Sequence, residues 1–196
     1  LRRKDLLQNP FDQFRLWFKD AEENGVIEPN AMQLATTDGV KPSLRTVLLK
    51  GIENDSFVFF TNYQSRKALD IKRNHNCTLL FYWPQLERQV TIEGIAEKTS
   101  HKDSENYFAT RPRSSQIGAW VSHQGQTLES RDILEAKFKE YSERYEGKKI
   151  PMPDHWGGIR IFPHRFEYWQ GRPFRLHDRF QYELESGVWT INRISP

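Results

Sequence analysis

Apolar side chains at Phe11, Phe14, Trp17, Phe18 and Ala21 recur at helical spacing, which predicts an amphipathic helix over residues 10–24, stopped by Gly25. The pattern then changes period. AMQLATTD (31–38), SLRTVLLK (43–50) and SFVFFT (56–61) read as strands, with Asp38, Gly39, Asn54 and Asp55 at the turns between them. A helix is expected near residues 65–74, followed by strands CTLLFYW (77–83) and RQVTIEGIAEKT (88–99) on either side of Pro84. Residues 101–146 read as a helical stretch broken at Arg111-Pro112-Arg113. The chain closes with four short strands, GIRIF, RFEYWQ, RFQYEL and VWTINRI, separated by Pro163, the Gly171–Pro173 turn and Ser186-Gly187. Strands outnumber helices and show no βαβ alternation, which predicts a mainly β (α+β) fold: an antiparallel barrel with helices outside.

Composition narrows the class. The chain has 196 residues, room for one domain with a real core. Its hydrophobic fraction is only 37%, but 13% of its residues are aromatic, so a few large side chains can build that core. A formal net charge of +3, spread along the chain, suits an anionic ligand without requiring nucleic acid. The single cysteine, Cys77, excludes an intrachain disulfide and fits a reducing compartment. No apolar run has the length of a membrane helix and LRRKDLL lacks the apolar core of a signal peptide, so the expected location is cytoplasmic.

Several segments concentrate charge. In NYQSRKALDIKRN, Ser65 stands at an N-cap position and puts Arg66 and Lys67 in the first helical turn, where the dipole disfavours cations. A phosphate there would meet free N–H groups and two cations; the same residues also read as a solvated basic face. Period two sends Arg45 and Lys50 of RTVLLK to opposite faces, so one pocket receives both only if the strand bends, ends or borders a second subunit. Tyr107 and Arg111 share a helix face with Ser115 just beyond the proline, a possible second phosphate grip, although an arginine in a last helical turn is also favoured without a ligand. In RLHDR, residues two apart let Arg175 and His177 face one pocket with Leu176 packed behind; an Arg175–Asp178 ion pair is the competing reading. No histidine or cysteine spacing fits a metal site, and neither GxGxxG, GxxxxGK[ST] nor GxSxG occurs.

Taken in order, RTVLLK, FFTNYQSRKA, LERQVTIEG, YFATRPRSSQIGAWVSHQ, PDHWGG, EYWQGRPFRLHDRF and WTINRISP resemble the pyridoxine (pyridoxamine) 5′-phosphate oxidase family. The resemblance implies a single FMN-binding split-barrel domain over residues 1–196, with a dimerisation and substrate segment from about residue 150 to 196. It implies a homodimer with FMN at the subunit interface, and oxidation of pyridoxine or pyridoxamine 5′-phosphate to pyridoxal 5′-phosphate, with O2 as acceptor and H2O2 as by-product. Carried over by motif, FMN is held by Arg45, Thr46, Val47, Leu48, Leu49, Lys50, Phe60, Thr61, Arg66, Lys67, Gln89, Gln124, Trp169 and Arg179. The substrate is bound by Lys50, Tyr107, Arg111, Ser115, Arg175 and His177, the last two being the candidate catalytic pair. Gln124-Gly125 departs from the Gln-Ser frequent in the family, which removes a hydroxyl. Related flavin reductases and a basic nucleic-acid-binding module are the alternatives; RPRSS and RLHDR argue against the first, and the second would be colourless and strongly salt-dependent.

Overall fold

The computed structural model describes Leu1–Pro196. Helix α1 (Pro10–Glu23) starts as its sequence dictates: Pro10 occupies the first turn and the Asn9 side chain accepts the Phe11 N–H at 2.8 Å. Strands β1 (Ala31–Thr37) and β2 (Pro42–Leu48) form a hairpin, as do β3 (Gly51–Glu53) and β4 (Ser56–Asn62) around Asn54 and Asp55, both with positive φ. Then come α2 (Arg66–Arg73), β5 (Asn76–Trp83), β6 (Arg88–Lys98), α3 (His101–Thr110), α4 (Arg113–Val121), α5 (Arg131–Arg144), β7 (Trp156–Gln170), β8 (Asp178–Glu185) and β9 (Val188–Ile194).

All strand pairs are antiparallel, in the order β2-β1-β5-β6-β7-β4-β3, with β8 also on β7 and β9 on β8. The two ends of that path, β2 and β3, are separated in the chain only by Leu49 and Lys50. So short a link spans about 11 Å at most, far less than a flat sheet of seven strands would need, so the sheet curls on itself. The Leu49 N–H donates to Asn30 O and the Lys50 N–H to Val58 O, both at 2.8 Å, tying the link to the two ends of the curl. The result is a split half-barrel. Its interior holds Met32, Leu34, Phe57, Phe59, Leu79, Phe81, Ile92, Ile161 and Phe166, and α1 plugs the barrel with Phe11, Phe14, Trp17 and Ala21. A smaller core of Phe108, Ile117, Val121, Ile150 and Trp156 lies beneath the helices α3 to α5.

Three expectations needed correction. GIRIF and RFEYWQ are one 15-residue strand, β7, not two: Pro163 sits where the register against β6 slips, and a bulge tolerates a residue without an N–H. There the strand changes partner, pairing β4 before the bulge and β8 after it. The helical stretch 101–146 has a second interruption at 122–130 in addition to the one at Pro112, with Gly125 at φ +90°. RTVLLK is strand only to Leu48.

Gly94 lies across from Pro163 at the bulge, and a Cβ there would lie 2.5 Å from Phe162 O. Backbone cannot yield as a side chain can, so Gly94→Ala should destabilise the protein by about 1–3 kcal/mol, read as a lower denaturation midpoint at unchanged m-value.

Candidate functional site

The end of β2 and the curl of the sheet open a cavity of about 730 Å³ between β2, β4, α2 and α4. Arg45 and Lys50 both line it. Of the ways to reconcile them, the strand's ending is the one realised: beyond Leu48 the chain turns, Leu49 enters the core and Lys50 faces the cavity. Thr46, Val47 and Leu48 also contribute, since β2 is an edge strand paired only with β1.

Charge distinguishes this cavity. Arg45, Lys50, Arg66, Lys67 and Arg111 line it, and no carboxylate does. Lys67 is buried, its ammonium donating to Thr61 Oγ1 (3.1 Å), Ser65 Oγ (3.2 Å) and Gln124 Oε1 (3.1 Å). Burial, and then the neighbouring Arg45, pull its pKa down to about 8. Arg45 donates to Leu34 O (3.0 Å) and Thr36 Oγ1 (2.7 Å), with Asp70 3.9 Å away. Desolvation lowers its pKa; Asp70 opposes this and Arg66 adds to it. Ser65 does occupy the N-cap of α2, but its hydroxyl donates to Asn62 O (2.7 Å) and does not cap the helix. The first-turn N–H groups of α2 therefore keep their capacity for an anion.

Arg111 closes α3 and lies 4.7 Å over the Trp156 ring, with Ser115 in the next helix. Its guanidinium makes no ion pair, and its Nη1 is buried without a hydrogen-bond partner; burial lowers its pKa. An unpaired, desolvated cation facing other cations is costly unless an anion joins it. A ligand with more than one negative charge, such as a phosphate ester, fits this donor set.

Not every expected residue reaches this cavity. Tyr107 lies behind Phe60, their rings stacked at 3.8 Å. Gln89, Trp169 and Arg179 stand opposite one another in a row across β6, β7 and β8, away from the cavity. Arg179 donates to Glu167 Oε1 (2.8 Å) and Ser195 O (3.0 Å). His177 packs on Trp169 at 4.7 Å and its Nδ1 accepts the Arg172 N–H at 3.1 Å, which puts the proton of a neutral ring on Nε2. Arg175 is exposed and without an ion pair; Asp178 binds Arg172 (2.7 Å) and Arg193 (2.8 Å) instead. Leu176, expected to pack behind Arg175 and His177, is 68% exposed. Strand alternation does not apply there, because Pro173–Arg175 is a 3₁₀ turn with Phe174 and Arg175 both at φ +61°. Two consecutive non-glycine residues in that region store backbone strain.

Sequence reasoning missed Ser43, Asn62, Ser122 and Trp156 as lining residues. Asn62 was findable as the residue before a turn: its Oδ1 accepts the Gln64 N–H (2.7 Å), and its Nδ2 donates to Ser122 O (3.3 Å), tying the 122–130 loop to the cavity.

Residues 18–145 match the family described as pyridoxamine 5′-phosphate oxidase, and residues 156–196 match the pyridoxine 5′-phosphate oxidase C-terminal dimerisation region. The pyridoxine/pyridoxamine 5′-phosphate oxidase of Rippkaea orientalis is 56% identical over 198 residues, covering 100% of this chain and 93% of the relative. Among solved structures, PhzG from Burkholderia lata, in complex with tetrahydrophenazine-1-carboxylic acid, superposes with a TM-score of 0.94 at 27% identity over 100% of this chain and 98% of PhzG. A pyridoxamine 5′-phosphate oxidase-related, FMN-binding protein from Nostoc punctiforme shares the fold at TM-score 0.75 and 16% identity, covering 97% of this chain and 100% of its own.

The lowered pKa of Lys67 makes ligand-free stability depend on pH. Between about 8 and its unfolded value near 10.5 the unfolded chain binds the extra proton, so the Lys67 contribution to stability rises with pH through that window. Thermal unfolding of ligand-free wild type and Lys67→Met should show this rise in the wild type and a flatter pH dependence in the variant across the same window.

Proposed function

The chain belongs to the pyridoxine/pyridoxamine 5′-phosphate oxidase family, and on that premise we propose that it binds FMN and oxidises pyridoxine or pyridoxamine 5′-phosphate to pyridoxal 5′-phosphate, reducing O2 to H2O2. The observation that carries this reading is the cavity with five cations and no carboxylate, large enough for a flavin mononucleotide and a phosphorylated pyridine to share. Bound FMN would supply a two-electron acceptor that oxygen can regenerate.

The protein's part is to hold and orient. Arg45, Arg66 and Lys67, with Thr61 and Gln124 beside the Lys67 ammonium, are assigned to the cofactor phosphate at the N-terminus of α2. Lys50, Arg111 and Ser115, with Tyr107 behind Phe60, are assigned to the substrate phosphate. Binding energy at that phosphate positions the exocyclic carbon for hydride loss. Gln89, Trp169 and Arg179 are assigned to the flavin, and Arg175 and His177 to the pyridine substituents. These five lie outside the cavity of their own chain, and all but Gln89 belong to the stretch matched as a dimerisation region. A homodimer in which each cavity receives this second set from the partner accounts for both facts. It also accounts for Phe174, Leu176 and Val188 being 92%, 68% and 64% exposed in one chain. Without a hydroxyl at Gly125, Gln124 and backbone groups of the 122–130 loop remain to meet the cofactor.

The purified protein should carry a flavin absorption spectrum, release FMN and not FAD on denaturation, and consume oxygen with pyridoxamine 5′-phosphate while forming H2O2. A colourless protein that FMN does not activate would refute the proposal. Lys67→Ala should weaken FMN binding by about 1.5–3 kcal/mol, the scale of a charged hydrogen bond, measured by flavin fluorescence titration. Arg175→Ala should lower turnover per bound FMN while leaving the flavin spectrum and thermal midpoint near wild type, because its side chain makes no ion pair whose loss would destabilise the chain.

A further inference from the structure

Arg111 is held in an unusual way. Most part-buried arginines are oriented by a carboxylate, which also neutralises them and occupies part of their planar fork. Arg111 has none: its guanidinium lies 4.7 Å over the Trp156 ring and 5.7 Å from Phe108, with Nη1 buried and unpartnered. An aromatic face attracts the cation while leaving all five N–H donors free. The ring is itself fixed. Trp156 is 7% exposed, stacks on Phe60 at 5.3 Å and 10°, meets Phe108 edge-on at 5.1 Å, and begins β7 opposite Asn62. The backbone carrying Arg111 is fastened independently, since the Gln116 side-chain amide donates to Phe108 O (3.0 Å), Ala109 O (3.3 Å) and Arg111 O (3.2 Å).

We propose that Trp156 is a positioning residue for phosphate recognition: its indole face holds the Arg111 guanidinium in place and unneutralised, so that the fork is positioned to meet the phosphate ester of the substrate. This rests on the assignment of Arg111 to that phosphate. The preference for phosphorylated over unphosphorylated pyridines then depends on an aromatic side chain that need not itself bond to the phosphate. Trp is the best ring for the task, Phe weaker, and an aliphatic residue supplies only bulk.

The test uses the full-length, flavin-loaded enzyme with pyridoxamine 5′-phosphate as substrate and inorganic phosphate as competing probe. Trp156→Leu should raise KM about tenfold and weaken phosphate inhibition by a similar factor, with kcat changing less than KM; Trp156→Phe should fall between it and wild type. Combined with Arg111→Ala, Trp156→Leu should add little to the KM effect of Arg111→Ala alone, because the ring acts through the arginine. Wild-type KM and phosphate inhibition in Trp156→Leu, or effects that add to those of Arg111→Ala, would overturn the proposal while leaving the assignment of Arg111 intact. An unchanged KM in Arg111→Ala would instead overturn that assignment, and the proposal with it. Should Trp156→Leu fail to load flavin, the same cycle with Trp156→Phe decides, additivity again being the adverse result.

Discussion

The two-residue link between the ends of the sheet is the constraint on which the remaining architecture rests. Because β2 and β3 lie at opposite ends of the strand order yet only Leu49 and Lys50 separate them, the sheet has to curl. Leu49 and Lys50 have different fates at this seam: the first joins the core and the second joins the cavity. The curl also makes an interior for α1 to fill. Aromatic side chains from helix and strands meet there, Phe14 packing edge-on against Phe57 and Phe81 at 5.0 and 4.8 Å. A chain with modest hydrophobic content thereby builds a dense core from a few large rings.

The cavity beside the seam is electrostatically unfinished. Asp70 is the nearest carboxylate to Arg45, and it is already engaged by the Thr36 hydroxyl at 2.7 Å. The burial that lowers the Lys67 pKa is the cost of holding a cation there, and the core and the curled sheet offset it. The donors differ in readiness: the Lys67 ammonium already spends its three N–H bonds on Thr61, Ser65 and Gln124, whereas the Arg111 Nη1 has no partner. The aromatic stack of Tyr107, Phe60 and Trp156, with interplanar angles of 11° and 10°, links the wall of the cavity to the small core under α3 and α4.

The distribution of the remaining site residues follows from β7. Its bulge at Pro163 lets one strand serve two neighbours, β4 on the cavity side and β8 on the C-terminal side. Trp156 at one end and Trp169 near the other therefore belong to different surfaces of the same chain. The strained turn at Phe174 and Arg175 projects from the second surface.

Most elements were legible from local pattern, because helix and strand periods and turn residues are properties of short segments: α1, β1, β4, α2, β5, β6, β8 and β9 all fall close to the expected residues. Family-specific segments also made the candidate residues legible one by one. Their grouping was not. That Arg45 and Lys50 share a cavity depended on where β2 stops. That Leu176 is exposed depended on a left-handed turn its sequence does not announce, and that Pro163 shifts the register without ending the strand depended on a partner strand able to accommodate a bulge. The sequence by itself determined most of the elements, the stock of cations and the family; only the tertiary structure decided which cations meet without a carboxylate and which rings they lie over. Charge and ring type are written in the chain, whereas burial, proximity and the loss of competing partners arise only when distant segments close on one another.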